Sequence, residues 1–470
     1  LANTLLTISM ITNRSLPVLA NTCILTDKFN RQYDKEFGVK GRKIGGTANV
    51  RLPPRYLGTF GAALNVEPST ETYVPVNILY QFHVDIQFNT INMLLDIDEF
   101  EERFIHPACI AVGNRVDSDG AYFGFQNTAN RVGTSGTPPT SYLQFALCRA
   151  QLIAEGMPKG LTPSAVLHPY ASAYMADSLK GNFNPQARIS DFFEEGMVAG
   201  KTAGADWFED PNIAQYTVGT LPGTPVLVGT ATGNSSGGTA ILTSGWAQTG
   251  YLELSGLGNS AACCVVGDTL QINGIYPVNP QNRGQYGTSL KNFVVLPPSG
   301  YAQMTGVAAP GGPQFAGNSA TLAPGGAGNG TFNTTTGLYT SSSSTGKLSV
   351  LVGECVITGG QFQNCYANTA SGGFTGTPTV TINKAAGSPA NGATSTENLY
   401  FHRDAFALAM VDLPLPRTAV EASRAYDEDL GISIRIATQY TINNDAEPTR
   451  MDIAYGFASL YRPLAVRYSG

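Results

Sequence analysis

The chain has 470 residues, 42% of them hydrophobic and 13% charged, with a formal net charge of −6 at pH 7. That length accommodates two or more domains with separate cores, and the acidic balance gives no general affinity for nucleic acid or an anionic membrane. The first twenty residues lack a charged start and a continuous apolar run, so no secretory signal is read, and no run of about 18 apolar residues exists to cross a bilayer.

Leu5, Ile8 and Ile11 recur at helical spacing before Pro17, which reads as a short amphipathic arm within residues 1–44. From Asp27 to Arg55, eight basic residues (Lys28, Arg31, Lys35, Lys40, Arg42, Lys43, Arg51 and Arg55) face three acidic ones (Asp27, Asp34 and Glu36). Such a run is ordinarily a solvated face; the sharper reading is a contact with an acidic neighbouring subunit or with nucleic acid. Gly45–Tyr73 contains prolines and glycines but no lysine, and reads as an extended excursion.

Next comes a period of two: Val76, Ile78, Tyr80, Phe82, Val84, Ile86 and Phe88 alternate with polar residues. Successive strand side chains point to opposite faces, so this is a long half-buried strand. A helix is expected from near Asp96, where Asp96 and Glu99 fit a capping box. Phe100, Phe104, Ala108, Val112 and Val116 continue one face, with a kink expected at Pro107. Ser141–Glu155 reads as a second helix, with Leu143, Leu147 and Ala150 on one face. Ala165–His168 reads as a short strand leading through Pro169 into a helix ending near Gly181.

Composition then changes sharply. Residues 217–396 carry seven charged side chains in 180 positions and are crowded with Gly, Ser, Thr and Pro, which marks an inserted domain. Short β-like runs recur at Thr239–Thr243, Tyr251–Leu254, Thr269–Ile275, Leu290–Leu296, Leu348–Gly353 and Thr377–Ile382, as expected of a small barrel or sandwich. Ser299–Gly346 reads as a long exposed loop. Beyond the block, Asp404–Met410 reads as helical and Pro414 and Pro416 as breakers. Ile432, Ile434, Ile436, Tyr440 and Ile442 form a second long alternating strand, and Met451, Ile453, Tyr455 and Phe457 the returning one. This C-terminal hairpin is expected to pair with the strand of residues 76–88, joining distant parts of the chain in one thin sheet.

Motifs for chemistry are scarce. Gly233–Gly237 matches GxSxG on paper, but it lies in a Gly/Ser/Thr loop rather than on a strand-to-helix turn, and reads as chance. There is no phosphate-binding GxxxxGK[ST] loop and no HExxH helix. His83, His106, His168 and His402 stand apart without a second ligand at metal spacing, and the carboxylates of Asp96–Glu102 and Asp427–Asp429 suit a helix start and a polar turn. Seven cysteines without framework spacing read as reduced, mostly buried thiols. No catalytic residue, cofactor or metal is expected, and the chain does not read as an enzyme.

The order of these elements, with Glu397–Leu408, Val411–Pro416 and Val266–Ile275, resembles the major capsid proteins of tailed bacteriophages, whose fold is shared with herpesvirus capsid proteins. Within that group the chain is similar to podovirus coat proteins carrying an inserted β-barrel domain. The resemblance implies an α+β fold with an N-terminal arm at 1–44 and an extended loop at 45–74. It further implies a peripheral domain at 75–140 and 426–470 with a spine helix at 96–125, an apical domain at 141–216 and 397–425, and a β-rich insertion domain at 217–396. Copies would form the pentamers and hexamers of an icosahedral virion shell assembled in the host cytoplasm. Implied partners are a portal, packaged double-stranded DNA without sequence-specific contact, and a cement protein in some members. Because the arm begins within the first dozen residues, a separate scaffolding protein is also expected. Without a lysine in the loop the shell is expected to be non-covalent. Arg42, Lys43, Arg51 and Arg55 are the candidate inter-subunit contacts. Two rival classes fit parts of the sequence: a β-rich glycan-binding or fibre protein, and an encapsulin-like compartment shell.

Overall fold

The computed structural model describes residues 19, 23–31, 47–78, 80–89, 106–139, 141–158, 160–179, 201–202, 204–227, 241–242, 244–298, 307–308, 312–313, 320–321, 330–333, 336–367, 382–384, 390–416, 421–427, 432–442 and 446–469. The N-terminal helical arm, Asp96–Glu102 and Gly233–Gly237 therefore lie outside the described residues. The chain divides into two compact units. The first comprises Leu1–Arg51, Tyr73–Gly120 and Phe406–Leu460, and the second Leu52–Thr72, Ala121–Ala405 and Tyr461–Gly470.

In the first unit, the alternating segments from both ends of the chain meet. Strand Ala446–Ser459 pairs antiparallel with Tyr80–Asn89, from Ala446 opposite Asn89 to Tyr455 opposite Tyr80. It also pairs with Ile432–Thr438, placing Ile436 opposite Met451, and with Phe406–Met410. Directly opposed residues share a face of the sheet, so Ile436, Met451 and Val84 lie in one row. Ile434, Ile436, Met451, Ile453 and Tyr455 are buried. The expected pairing of the C-terminal hairpin with its distant partner is therefore present, but both long strands are shorter than expected. Val76 belongs to the separate strand Thr72–Asn77, and Ile432–Thr438 ends before Tyr440 and Ile442, which are exposed.

Phe406–Met410, expected as helix, is instead a strand preceded by a 3-10 turn at Arg403–Ala405. All five of its residues are buried. A segment apolar on every side gives no period to separate helix from strand, and pairing with Tyr455–Ser459 overrides the helical propensity of Ala, Leu and Met.

The long helix His106–Asn127 is described from its first residue, so Pro107 occupies the first described turn; the expected start near Asp96 lies outside the described residues. Within the first unit its face bears on the sheet: the Arg115 guanidinium sits 5.7 Å from the Phe82 ring centre, and Asp119 accepts the Tyr455 hydroxyl. Asp117, fully buried, ties down the segment Cys23–Arg31. Its carboxylate accepts the Thr26 N–H at 2.8 Å, the Thr26 hydroxyl at 2.9 Å and the Ile24 N–H at 3.3 Å. Asn30 then bridges to the sheet edge at Ala407.

The second unit contains a mixed sheet ordered Asn130–Val132, Ala465–Ser469, Thr394–Phe401, Ser164–Leu167, Ala205–Glu209, Lys201–Thr202, with Gln215–Thr217 also on Thr394–Phe401. Helices Tyr142–Ala154 and Pro169–Leu179 pack against it through Phe145, Cys148, Leu152 and Met175, which meet Trp207, Tyr400, Val466 and Tyr468. Ser141 caps the first of these helices by accepting the Leu143 N–H at 3.2 Å, as its residue type favours.

The charge-poor block folds into short strands, several of them where expected. Ser299–Gly346, expected as an exposed loop, instead contributes Thr331–Asn333 and Leu338–Thr340, whose Phe332 and Tyr339 are fully buried. A six-stranded antiparallel sheet runs Ile382–Lys384, Thr269–Ile272, Asn292–Leu296, Leu348–Val352, Gly250–Ser255, Val226–Leu227. A four-stranded sheet runs Ala262–Val265, Leu338–Thr340, Thr331–Asn333, Ala320–Thr321. Both contribute to one core that includes Leu252, Cys263, Leu270, Phe293, Phe332, Tyr339 and Val350. All seven cysteines are buried and free, as expected for reduced thiols.

Candidate functional site

Strands Thr47–Leu52 and Thr72–Asn77 pair as a two-stranded sheet and carry a loop between them. The loop is closed on itself: the Leu57 N–H donates to Glu67 Oε2 at 2.6 Å, and the Tyr56 and Ser69 hydroxyls are 3.0 Å apart. Its base is fixed inside the second unit. Arg55 donates to the Tyr461 hydroxyl at 2.8 Å and lies 5.3 Å from that ring's centre. Arg283 Nη2 donates to Tyr56 O at 3.1 Å, and Gln361 Nε2 to Pro68 O at 2.9 Å. Beyond this base the tip stands clear, with Phe60 110%, Leu64 91% and Val66 77% exposed. Tyr56–Val66 contains no charged residue. An anchored stem bearing an uncharged apolar tip is the geometry of a contact arm rather than of a solvated loop.

Arg283 and Tyr286 lie on one turn. Asn279 N–H donates to Gly284 O at 3.0 Å and Arg283 N–H to Asn279 O at 2.8 Å, and Arg283 takes a left-handed φ of 56° that a non-glycine residue adopts only at a cost. From the same turn the Tyr286 hydroxyl donates to Glu155, the C-terminal cap of the helix Tyr142–Ala154. Gln151 Nε2 reaches that hydroxyl at 3.1 Å. Burial pushes the Glu155 carboxyl up to about 7; neighbouring Glu354 adds to the rise, while Lys291, the Tyr286 hydrogen bond and Arg55 oppose it. Lys291 is itself paired with Glu354 at 2.9 Å.

Of the expected contact residues, Arg51 is exposed and Arg55 is engaged with Tyr461 of its own chain. Arg42 and Lys43 lie outside the described residues. The histidines stay apart: His83 is 3.3 Å from Asp85, His168 stacks on Tyr170, and His402 is buried, which lowers its pKa. No group of three His, Cys, Asp or Glu able to hold a metal occurs among the described residues, and among them no helix is long and apolar enough to cross a membrane.

Sequence reasoning recognised the loop but not its anchors. Tyr461, Arg283 and Gln361 are isolated polar residues far along the chain, and no spacing links them to Arg55, Tyr56 or Pro68. The loop itself was read from its prolines, glycines and absence of lysine; the uncharged run Tyr56–Val66 with Phe60 and Leu64 is the sequence signal that marks its tip. The stripe Leu143, Leu147 and Ala150 was recognised as one face of a helix; it is the outward face, and Phe145, Cys148 and Leu152 form the inward one.

No family model matches the chain, and neither does any curated protein. Among solved structures it is similar to one titled Mycobacterium phage Che8, at 8% identity and a TM-score of 0.40 over 95% of this chain and 90% of that one. It is also similar to the capsid structure of cyanophage P-SCSP1u, at 9% identity and a TM-score of 0.40 over 95% and 88%. A third likeness is to the mature capsid of bacteriophage PhiM1, at 9% identity and a TM-score of 0.36 over 90% and 82%. At these scores the likenesses are distant.

Proposed function

We propose that this chain is the major capsid subunit of a tailed phage. Many copies close into an icosahedral shell of pentamers and hexamers around packaged double-stranded DNA, assembled in the host cytoplasm with a separate scaffolding protein and a portal. The observation that carries the reading is the loop between Leu52 and Thr72. It is anchored at its base by Arg55, Arg283 and Gln361, and ends in Phe60, Leu64 and Val66, which are more than three-quarters exposed. A single copy gains nothing by holding such a tip in water, whereas a neighbouring copy can bury it.

The order of elements supports the same reading. Residues 45–74 act as the extended loop, 75–140 and 426–470 as the peripheral domain with its spine helix at 96–125, and 141–216 and 397–425 as the apical domain. Residues 217–396 form an insertion domain. Repeated modest contacts of this kind give a durable container because closure multiplies them. The shell is non-covalent, since Gly45–Tyr73 contains no lysine. Arg42, Lys43 and Arg51 bridge to acidic surfaces of neighbours, and DNA is enclosed by a net acidic subunit without sequence-specific contact.

Sedimentation velocity of the chain co-expressed with a scaffolding protein, with and without Phe60→Asp, tests the proposal. The wild-type chain sediments as large closed particles and the variant as small species. A wild-type chain that remains monomeric or trimeric in the presence of the scaffolding protein at every concentration and salt condition overturns it.

A further inference from the structure

Residues 277–286 of the charge-poor block form a small hairpin closed on itself. Val278 and Gln285 bridge antiparallel, the Tyr286 N–H donates to Pro277 O at 3.4 Å, and the Asn279 side chain accepts the Gln281 N–H at 2.8 Å. A segment bonded internally in this way moves as one piece. On one side it covers the end of the helix Tyr142–Ala154: a Cβ added at Gly156 would stand 3.1 Å from Pro280 Cγ, and the Tyr286 hydroxyl donates to buried Glu155. On the other side Arg283 Nη2 donates to Tyr56 O, in the stem of the loop between Leu52 and Thr72. All of these residues belong to one compact unit. The piece that shields Glu155 from water is thus the piece that holds the loop stem.

Titratable groups face Glu155 from every element around it. Tyr286 comes from the hairpin, Lys291 precedes the strand Asn292–Leu296, Glu354 follows Leu348–Val352, Arg55 belongs to the loop stem and Tyr461 to the C-terminal segment. Both cations are engaged elsewhere. Lys291 lies 2.9 Å from Glu354 and donates to Asn364 O at 3.0 Å, and Arg55 donates to the Tyr461 hydroxyl at 2.8 Å. Among the described residues, the Glu155 carboxyl has one hydrogen-bond donor, the neutral Tyr286 hydroxyl. Such a place suits a carboxylic acid; a carboxylate there needs water, which enters only when the hairpin lifts.

We infer that the hairpin of residues 277–286 is a proton-sensitive latch, seated on the helix end and gripping the loop stem while Glu155 is protonated, and lifting when Glu155 ionises. The latch works within a single copy, so it holds whether or not copies assemble. Burial raises the Glu155 carboxyl to about 7, and lifting returns it to its ordinary 4.5, so opening is favoured about tenfold more at pH 8 than at pH 6.

Trypsin nicking of the full chain tests it. The Arg55–Tyr56 bond lies between two anchors, the Arg55 side chain on Tyr461 and Tyr56 O on Arg283, so it enters a protease only when the stem is released. Cleavage of a transiently opened site follows the open population. The initial rate at this bond, read by mass spectrometry and divided by that of a free peptide with the same bond, should rise about tenfold from pH 6 to pH 8. Hydrogen-exchange protection of residues 150–158 should fall over the same range. Glu155→Gln should abolish both changes, and Tyr286→Phe should nick fast already at pH 6. A normalised rate equal at the two pH values overturns the inference, as does a pH dependence that persists in Glu155→Gln; both leave the shell reading in place. A chain that shows the pH-dependent nicking but never forms particles removes the shell reading and keeps the latch.

Discussion

Gln81 and Asp452 are hydrogen-bonded at 3.1 Å although 371 positions separate them. The same Asp452 carboxylate accepts Arg435 Nε at 2.8 Å from the strand on the other side of Ala446–Ser459, and Arg450 lies 3.3 Å from it. One buried carboxylate thus holds both neighbours of the central strand in register. A slip by one residue would turn Met451, Ile453 and Tyr455 to the opposite face.

Asp452→Ala leaves the Arg435 guanidinium without its carboxylate in a largely buried place. The expected loss is about 3 kcal/mol, within the range for breaking one partner of a buried pair. Urea unfolding followed by tryptophan-independent circular dichroism measures it, and a loss under about 1 kcal/mol would show that the pair does not set the register.

Gly456 lies where the chain passes the Asn77 carbonyl: an added Cβ would stand 1.9 Å from that oxygen. Backbone cannot yield as a flexible side chain does, so Gly456→Ala is expected to cost at least about 2 kcal/mol. A thermal melt unchanged within one degree would contradict the close approach.

The Glu155 carboxyl has a folded-state pKa of about 7 against an ordinary value of 4.5, raised chiefly by burial. The folded state therefore holds a proton that the unfolded state gives up. Stability from this group is fully present below the unfolded value and falls as pH rises from about 4.5 to about 7. The change across that window is on the order of 3 kcal/mol. Glu155→Gln, which mimics the protonated form, should flatten the dependence and melt higher than wild type at pH 8. Parallel pH curves for the two proteins would refute the assignment.

Arg55→Ala removes both the hydrogen bond to Tyr461 and the cation over its ring, while the fold's core is untouched. The expected stability change is about 1–2 kcal/mol or less. Its larger effect is a loop base that exchanges amide hydrogens faster across Arg55–Leu57. Unchanged exchange there would mean that Arg283 and Gln361 alone fix the stem.

Much of this architecture was legible in the residues because its period is local. The alternation of Val76–Phe88 and Ile432–Ile442 announced a half-buried sheet, and matching apolar rows made one sheet of both segments the natural solution, although the period ran past the strand ends at Asn77 and Thr438. The charge-poor block declared several of its strands through short apolar runs between turn residues, but not Thr331–Asn333 or Leu338–Thr340, where single buried aromatics among Gly, Ser and Thr show no period. Ser141 marked a helix start. Phe406–Met410 was not legible, because a segment buried on all sides has no polar face from which to read a period. Nor was the orientation of Tyr142–Ala154, where Leu143/Leu147 and Phe145/Cys148/Leu152 are equally apolar and only the sheet beneath decides which face is covered. The loop anchors and the Glu155 network depend on single contacts through space, which leave no trace in spacing.

The most direct measurement is electron cryomicroscopy of particles from cells expressing the chain, alone and together with the scaffolding protein proposed above. The account predicts closed particles with fivefold and sixfold clusters, each subunit's Leu52–Thr72 loop lying on a neighbour. Compact separate subunits, or open fibres in which that loop folds back on its own chain, would contradict it.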